Sequence, residues 1–491
     1  MSDRLLPYNS SLALLTDFYQ LTMAYGYWKT GVKDQEAVFQ LFFRENPFKG
    51  GFAVACGLGY VMDFLEHFRY DASDIEFLAS LKGVKGDSLF EKKFLGFLSK
   101  IRFECDIDAV PEGTMVFPHE PLIRVRGPVL QCQLLETALL NMINFQTLIA
   151  TKAVRVSLAA KGEPVIEFGM RRAQGIDGSL AASRAAYIGG CEATSNVLAG
   201  KTFGIPVKGT HAHSWIMLFD TELEAFEAYA KALPDHCIFL VDTYDTVRGV
   251  RNAVEVGKKL RSRGHEMVGI RLDSGDLADL SREARKILDE AGFPEAKIVG
   301  SNELDETAIE DLKNKGACIA VWGVGTKLVT GHDQPALGGI YKLTAVRSVS
   351  GEWKYKMKLS DDPLKQSIPG IHQVRRFSDG KKYQADMIYD MDTILSDELT
   401  FVDLTDPAHF VTPAQTASFR DLLVPVFRKG KKVYTPPDIH TLRQEVRSQL
   451  GKWDADILHL RRPAVYTVGL EKSLHEKKSE IIGKLKGARN A

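Results

Sequence analysis

The chain has 491 residues, of which 45% are hydrophobic and 26% are charged, as is typical of a globular protein. A single core seldom extends over this length, so we expect two or three domains. Lys and Arg together number 63, as do Asp and Glu, so the chain carries no net charge. This balance, with no long basic run, argues against a nucleic-acid-binding role.

Cysteine usage indicates a reducing compartment. The six cysteines show no paired spacing of the metal-binding kind; they are Cys56, Cys105, Cys132, Cys191, Cys237 and Cys318. In a chain of this size they are expected to be buried thiols. The apolar patch near the N-terminus, Leu12 to Leu15, is too short for a signal peptide or a membrane span. We therefore expect a cytoplasmic protein that binds neither a membrane nor nucleic acid.

Residues 1–130 are predicted to form an N-terminal α+β domain, completed by part of the C-terminal region. A helix is expected to begin near Thr16 and Asp17, because Asp is a favourable N-cap residue. The run GTMVFPHEPLIRVRGPV (113–129) is typical of strands around a turn. From residue 130 to 160 the apolar spacing becomes helical.

The middle of the chain, residues 131–345, carries the clearest pattern. Short apolar runs recur, mostly about 30 to 40 residues apart, which is the scale of a βαβ unit. Helical stretches lie between most of them; Leu277, Ala284 and Leu288, for example, mark one face. Continuous apolar runs are typical of buried parallel strands, so the pattern predicts a barrel or a doubly wound sheet. The runs are PVIEFG (164–169), GIPVKGT (204–210), CIFLVDT (237–243), MVGIRLDSGD (267–276), AKIVGSN (296–302) and CIAVWGVGT (318–326).

Residues 346–491 are predicted to form a C-terminal β-hairpin and helical region that packs on the other two parts. The run RRFSDGKKYQADMIY (375–389) predicts a hairpin around Asp379 and Gly380. The tail from Asp438 is helical in pattern and charged, and nothing in it suggests chemistry.

The segment GTHAHSW (209–215) places His211 and His213 just after a predicted strand. Their spacing of two residues is not that of a helical metal pair, and no acidic ligand lies at helical distance. Ordinary loop histidines are one interpretation. The other is that one of them is a nucleophile or a general base at the active-site end of the sheet.

The segment RLDSGDL (271–277) concentrates Arg271, Asp273, Ser274 and Asp276 in a turn that opens a helix. Free N–H groups at a helix start favour anions, and carboxylates suit sugar hydroxyls or a hydrated metal ion. Helix capping could account for one of the two carboxylates, but hardly for both and the arginine.

Two further strand ends carry weaker patterns. In WGVGTKL (322–328), Gly323 and Gly325 precede Thr326 and Lys327, so the loop is either a phosphate cradle or a plain turn. FGMRRAQG (168–175) offers Phe168 for ring stacking and two arginines that bind phosphate or are simply solvated. If these loops meet at one end of the sheet, they suit a substrate that is both aromatic and phosphorylated.

These motifs, in this order, resemble those of the nicotinate phosphoribosyltransferase family over nearly the whole chain. We see no departure from the family in the motifs of the active site. The motifs are LLTDFYQLTMAYGYW (14–28), FRENPF (43–48), EFGMRRAQG (167–175), TSNVLAG (194–200), GTHAHSW (209–215), VGIRLDSGDL (268–277), VGSNELDE (299–306), WGVGTKL (322–328), LGGIYKL (337–343) and KLSDDPLKQSIPG (358–370).

The resemblance implies an irregular α/β barrel, expected over residues 131–345, beside a second α+β domain built from both chain ends. It implies the transfer of phosphoribosyl from phosphoribosyl pyrophosphate to nicotinate in NAD salvage, coupled to ATP hydrolysis, with Mg²⁺ held through the substrate phosphates. It also implies a homodimer in which the subunits share their active sites.

The resemblance further implies a role for particular residues. His213 would be transiently phosphorylated by ATP, Asp242 would fix its tautomer, and Asp273 would hold the ribose. The pyridine ring would stack between Tyr19 and Phe168, with Arg271 and Thr210 at its carboxylate. The expected phosphate contacts are Arg171, Ser301, Asn302, Gly323, Gly325 and Thr326, with Lys358 and Lys365 as further candidates for ATP or pyrophosphate.

Four alternative functions agree less well with the sequence. A nicotinamide phosphoribosyltransferase would present an Asp near Thr194-Ser195-Asn196, and none is there. Quinolinate phosphoribosyltransferases are shorter chains that need no phosphorylatable histidine. A phosphate-binding barrel aldolase or isomerase would need a Schiff-base lysine or an acid–base pair, for which Lys208 and Lys327 are the lysines at predicted strand ends. A scaffold role would leave the ionisable residues at the strand ends unexplained.

Overall fold

The computed structural model describes residues 11–360, 366–396 and 398–489. They form two compact units, one comprising residues 11–148 with the described residues from 336 onwards and the other residues 149–335. The division of the sequence at 130 and 345 stays a prediction about domains. No helix among the described residues is long and apolar enough to cross a membrane.

The strands are β1 (Glu36–Phe42), β2 (Ala53–Val54), β3 (Asp106–Ala109), β4 (Met115–Val116), β5 (Ile123–Pro128), β6 (Val165–Glu167), β7 (Ala193–Thr194), β8 (Ile238–Leu240), β9 (Gly269–Leu272), β10 (Lys297–Gly300), β11 (Val321–Val324), β12 (Ile340–Arg347), β13 (Trp353–Tyr355), β14 (His372–Ser378), β15 (Tyr383–Asp390), β16 (Phe401–Asp403), β17 (Phe410–Val411), β18 (Ser418–Asp421), β19 (Val424–Arg428), β20 (Lys431–Lys432) and β21 (Val468–Glu471).

The α-helices are α1 (Phe18–Lys29), α2 (Leu58–Glu66), α3 (Ala72–Ser80), α4 (Lys92–Leu98), α5 (Val129–Leu134), α6 (Glu136–Ala160), α7 (Gly175–Ile188), α8 (Val197–Phe203), α9 (His213–Met217), α10 (Glu222–Ala232), α11 (Thr246–Arg261), α12 (Leu277–Glu290), α13 (Glu306–Asn314), α14 (Thr326–Val329), α15 (Ile439–Leu450) and α16 (Lys472–Arg489).

The unit of residues 149–335 is built on a six-stranded parallel sheet in the order β7-β6-β11-β10-β9-β8. Helices separate the strands along the chain, so the predicted α/β class is confirmed. In the described part of the chain, no ladder joins the edge strands β7 and β8. Because all six strands run the same way, the loops that follow them share one edge of the sheet.

Five of the six predicted central strands are present, as β6, β8, β9, β10 and β11. The prediction for GIPVKGT (204–210) is wrong, since this run makes only an isolated bridge from Val207 to Thr194. Its sequence explains the failure. Pro206 has no N–H to donate to a ladder, and Gly204 has a left-handed φ of 74°. The strand that pairs with β6 on this side is the short β7, to which the bridge from Val207 is made.

Carboxylates that follow the strands start the next helices. Asp245, Asp276 and Asp305 each accept hydrogen bonds from backbone N–H groups in the first turn of α11, α12 and α13. Such caps satisfy amides that have no partner within the helix. The apolar face predicted for α12 is also correct, because Leu277, Ala284 and Leu288 are buried. The sequence thus fixes where each of these helices begins.

The other unit contains two larger sheets and a two-stranded one. The first larger sheet is antiparallel, in the order β13-β12-β1-β5-β3-β19-β20. The second is mixed, in the order β17-β16-β21-β15-β14-β18, and contains the predicted hairpin as β14 and β15. The helix predicted near Asp17 is α1. The tail is helical in α15 and α16 as expected, but residues 451–467 are not helical and β21 follows them.

The cysteine prediction holds for most of the set. Cys56, Cys105, Cys132, Cys191 and Cys237 are buried thiols, whereas Cys318 is only half-buried.

Candidate active site

Arg271, on β9, joins three segments at the C-terminal edge of the parallel sheet. Its Nε donates to Oγ of Ser301 at 2.8 Å, its Nη1 to Oγ1 of Thr210 at 3.2 Å, and its Nη2 to Oδ1 of Asp273 at 2.7 Å. A guanidinium donates hydrogen bonds in several fixed directions within its plane. The ammonium of a lysine, on a flexible stem, does not fix its donors in this way. Four predicted site residues from three separate motifs therefore form one cluster.

Asp273 is held as a carboxylate by this cluster. Ser301 Oγ donates to Asp273 Oδ1 at 2.5 Å, so the same oxygen accepts from both Ser301 and Arg271. Burial by itself would raise the pKa of Asp273, but the Ser301 hydrogen bond and the Arg271 charge outweigh it and lower the pKa below its ordinary value. Its second oxygen lies 3.7 Å from Nε2 of His213.

His213 is the first residue of α9 and is partly exposed. Its Nδ1 lies 3.1 Å from the Thr243 hydroxyl, and its Nε2 faces Asp273. The sequence interpretation made Asp242 the partner of this ring. Among the described residues the ring contacts Thr243 and Asp273 instead, because Asp242 is engaged elsewhere.

Asp242 supports the loop that carries Asp273. Its Oδ2 accepts from the Asp273 backbone N–H and from the Ser274 hydroxyl, both at 2.7 Å. Its Oδ1 is buried and has no hydrogen-bond partner among the residues that the structure describes. A buried carboxylate oxygen without a partner is costly, so it is an acceptor available to a bound ligand or a hydrated cation.

His211 proves to be a structural histidine. It is buried, its Nε2 accepts from the Leu240 backbone N–H at 3.3 Å, and its ring packs edge-on to Tyr229 at 4.8 Å. Burial lowers the pKa of His211 to about 4. The two histidines of GTHAHSW therefore differ in environment: His211 fixes the segment to β8, and His213 reaches the cluster.

Phe168 lies beside Arg271, whose guanidinium carbon is 5.7 Å from the ring centroid. Gly323 makes room for this ring, because a Cβ added there would lie 2.7 Å from Phe168 Cδ2 and 3.3 Å from Ser301 Cβ. Gly325 lies against the same segment, where an added Cβ would be 3.2 Å from the Phe168 carbonyl oxygen. The alternating glycines thus permit the close approach of two strand-end loops.

Glu167 is a residue of the site that the sequence interpretation missed. Its buried carboxylate accepts from the Gly169 backbone N–H, from Ser183 Oγ at 2.8 Å and from Thr194 Oγ1 at 2.5 Å. These bonds fix the turn that follows Phe168. The signal was available, because an acidic residue inside the apolar run PVIEFG must be hydrogen-bonded if it is buried.

The segment Thr194-Ser195-Asn196 contains no carboxylate of its own. Asn196 is buried and caps α8, since its Oδ1 accepts from the Ala199 backbone N–H at 3.1 Å. Ser195 is half-buried. Ser195 is therefore the more exposed of these two neighbouring residues.

For the remaining predicted residues, the structure gives a position and an exposure but no hydrogen bond to the Arg271 cluster among the described residues. Arg171 is exposed in the short turn Met170–Arg172 that follows Phe168, and Thr326 begins α14. Asn302 is exposed with a left-handed φ of 111°. Tyr19, on α1, and Lys358 belong to the other unit, and both are exposed. Lys365 lies outside the described residues.

Neither lysine considered for a Schiff base is suited to one. Lys327 donates to Asp305 Oδ2 at 2.7 Å, and this hydrogen bond raises the pKa of Lys327. An amine that attacks a carbonyl must instead have a lowered pKa. Lys208 is exposed, away from the desolvated setting that such a lysine needs. Within the described ranges no group of three His, Cys, Asp or Glu side chains is placed to hold a metal ion.

The family comparisons cover all of these segments. The nicotinate phosphoribosyltransferase (NAPRTase) family pattern matches residues 164–384, its N-terminal domain matches residues 14–144, and its C-terminal domain matches residues 371–478. A nicotinate phosphoribosyltransferase of Bacillus subtilis is 42% identical over 97% of this chain and 96% of its own length. The chain belongs to the nicotinate phosphoribosyltransferase family.

Other members of the nicotinate phosphoribosyltransferase family also match the chain over nearly its whole length. The Homo sapiens nicotinate phosphoribosyltransferase sequence is 36% identical over 94% of this chain and 95% of its own length. The human nicotinic acid phosphoribosyltransferase structure matches with a TM-score of 0.82 at 33% identity, over 95% of this chain and 99% of that one. A nicotinate-nucleotide pyrophosphorylase of Pyrococcus furiosus shares the fold, with a TM-score of 0.69 at 22% identity over 91% of this chain and 97% of that one.

The buried His211 generates a pH prediction. Its folded pKa of about 4 lies below the ordinary 6.5, so the unfolded state binds more protons between these values and stability falls as the pH is lowered through this window. Between pH 7 and pH 5 this loss is about 2 kcal/mol. In His211→Gln the amide oxygen can still accept from Leu240, and the pH-dependent loss should shrink by about that amount. Denaturant unfolding at both pH values measures it. An equal loss in the two proteins would contradict the assignment.

Proposed function

We propose that this chain transfers the phosphoribosyl group of phosphoribosyl pyrophosphate to nicotinate, giving nicotinate mononucleotide and pyrophosphate. The observation that carries the proposal is the cluster of Arg271 with Thr210, Ser301 and Asp273, beside the ring of Phe168. It offers a cation for a carboxylate, an aromatic face for a pyridine, and a carboxylate for ribose hydroxyls. The activity named for relatives up to 42% identical supports it.

Nicotinate binding follows from this arrangement. The pyridine ring stacks on Phe168, with Tyr19 as the second face, and its carboxylate pairs with Arg271 and Thr210. Only some of the five N–H groups of Arg271 donate to these partners, so donors remain for the ligand. The charged ligand is then recognised by a cation that the protein already orients.

The transfer itself is a substitution at C1′ of the ribose. The lone pair of the pyridine nitrogen forms the new C–N bond, while the C–O bond to pyrophosphate breaks and its electrons leave with that oxygen. Asp273 orients the ribose hydroxyls and favours the positive charge that develops on the sugar. Arg171, Ser301, Asn302, Gly323, Gly325 and Thr326 are the proposed contacts to the phosphates.

Mg²⁺ fits beside these carboxylates. The unpartnered Oδ1 of Asp242 and the second oxygen of Asp273 are hard acceptors for the waters of a hydrated ion that is held through the substrate phosphates. Such an ion would neutralise charge on the departing pyrophosphate.

ATP coupling is proposed to pass through His213. An imidazole nitrogen takes the γ-phosphoryl group as its P–O bond to ADP breaks, and water later hydrolyses the P–N bond. The partial exposure of His213 leaves room for ATP, and the contacts with Thr243 and Asp273 orient its ring. Lys358 and Lys365 are proposed contacts to ATP or pyrophosphate. A cytoplasmic location stays a prediction from the sequence.

A homodimer with shared active sites completes the proposal. Phe18, Tyr19 and Met23 are exposed on α1, with 54%, 48% and 37% of their surface accessible. Exposed apolar side chains on one helix favour association with a second copy of the chain. In that dimer Tyr19 of one subunit reaches the nicotinate bound by its partner.

The choice between acid and amide tests the function directly. Product analysis with nicotinate and nicotinamide, each with and without ATP, should show a preference for nicotinate of roughly ten- to a hundredfold, because charge-assisted bonds contribute about 1.5–3 kcal/mol. Ser195→Asp should reduce this preference by repelling the carboxylate, and the uncharged Ser195→Asn should keep it. Equal use of both bases by the wild-type protein would refute the proposal.

Phosphorylation of His213 is tested with γ-labelled ATP. We expect an acid-labile, base-stable adduct that is lost in His213→Ala together with the stimulation by ATP, while uncoupled transfer persists because the ribosyl chemistry does not pass through this residue. His236→Ala removes an exposed histidine before β8 and should keep the label. Label on His211 would contradict the assignment.

The shared site is tested by mixing inactive Tyr19→Ala with inactive Asp273→Ala and allowing the subunits to exchange. Each heterodimer then regains one intact centre, so activity should recover to a fraction of the wild-type value. Arg271→Ala mixed with Asp273→Ala is the matched control, because these residues share one cluster and no centre can be restored. No recovery in the first mixture, despite proven exchange, would count against shared sites.

A further inference from the structure

Lys327 follows the glycine-containing loop after β11, where a lysine is expected to reach a phosphate. Its ammonium is instead paired with the carboxylate of Asp305, at 2.7 Å between Nζ and Oδ2. Only 24% of the Lys327 side chain and 11% of the Asp305 side chain are exposed. The pair is therefore largely shielded from water, and its attraction is stronger than that of a surface pair.

Asp305 is itself firmly held. Its Oδ1 caps α13 by accepting from the Ala308 backbone N–H at 2.8 Å. The next residue, Glu306, is buried and pairs with Lys152 at 2.7 Å and with Arg155 at 2.8 Å, both on α6. Asp305 is held by its helix cap and by the ion pairs of the neighbouring Glu306. It therefore fixes the position of Lys327 and would not move with the lysine toward a ligand.

The pair connects two loops of the proposed active site. Asp305 ends the loop after β10, which begins with Ser301, a member of the Arg271 cluster. Lys327 is the second residue of α14, so the loop after β11 consists of Gly325 and leads directly into the first turn of α14, which carries Thr326 and Lys327. Gly323, in β11, lies beside the start of the loop after β10, because a Cβ added to it would be 3.3 Å from Ser301 Cβ.

We infer that Lys327 and Asp305 are positioning residues that hold the loop after β11 against the loop after β10, so that both present hydrogen-bond donors to the phosphates of the phosphoribosyl donor. Lys327 does not contact phosphate. The inference rests on the proposed function, since it assigns those phosphates to these loops. The ion pair supplies preorganisation, because the loops need not be ordered when the ligand arrives.

Two substitutions break the pair from its two sides. Lys327→Met removes the cation at similar length, and Asp305→Asn removes the anion but keeps an oxygen to cap α13. Each should raise the KM for phosphoribosyl pyrophosphate about tenfold and change kcat less than twofold, as expected when binding rather than the chemical step is weakened. The double variant should be no worse than either single variant. Lys327→Arg keeps the cation, so its KM for phosphoribosyl pyrophosphate should stay close to the wild-type value.

A direct phosphate contact by Lys327 predicts a different pattern. Asp305→Asn would then free the ammonium and remove a competing anion, so the KM for phosphoribosyl pyrophosphate would stay unchanged or fall. That result would overturn the inference.

Lys313→Met is the matched control, because Lys313 lies at the other end of α13 and pairs with Glu163 at 2.6 Å, with 17% of its side chain exposed. It should lower the thermal midpoint and leave KM unchanged; an equal rise in KM would mean that the effect is one of general stability.

Failure of the proposed function can be distinguished from failure of the positioning role of Lys327 and Asp305. A wild-type protein that forms no nicotinate mononucleotide would refute the activity and leave the loop assignment testable by calorimetric titration with phosphoribosyl pyrophosphate. In that titration Lys327→Met and Asp305→Asn should each weaken binding about tenfold, and Lys313→Met should not. Binding by all four proteins with one affinity would refute the positioning role.

Discussion

The guanidinium of Arg271 is the contact on which the rest of the site depends. It lies at the end of a central strand, and its donors reach Thr210, Asp273 and Ser301 in three different segments. Because parallel strands end at one edge, these segments come together only there. A half-buried cation is stable only when its charge is compensated, and Asp273 provides this compensation while itself gaining a lowered pKa. Removing either charge would leave the other without its partner.

The same edge of the sheet explains why much of the unit could be predicted. A buried parallel strand is a continuous apolar run, and after β8, β9 and β10 an aspartate caps the following helix, so in these three steps nearby residues determine both the strand and the start of the helix. Asp245, Asp276 and Asp305 all follow this rule. Five central strands and the clustering of Arg271 with its partners were predicted in this way. Family membership added roles that residue patterns alone do not contain.

The failures have a common cause, which is that the missing information is not local. β21 lies between β15 and β16, so its four residues become a strand through partners far away in sequence. GIPVKGT looks like a buried strand, yet Val207 is 49% exposed, and burial cannot be read from hydrophobicity alone. The role predicted for Asp242 at His213 stays a prediction, while the contacts of the ring in the structure are with Thr243 and Asp273. Thr243 follows Asp242 directly, and only the backbone geometry decides which of two neighbouring polar side chains faces the ring.

The pairing of cations with aspartates at the strand ends is consistent with a site that binds phosphorylated substrates and then releases phosphorylated products. Arg271 and Lys327 are both paired with aspartates, so the protein already compensates two of its cations before any substrate binds. Unpaired cations would hold substrate and product phosphates equally tightly, and such uniform binding does not accelerate the chemical step. In the proposed site, hydroxyls and backbone amides contact the phosphates through weaker but directional hydrogen bonds. The selectivity of these contacts lies in their geometry, which the Arg271–Asp273 and Lys327–Asp305 ion pairs help to maintain.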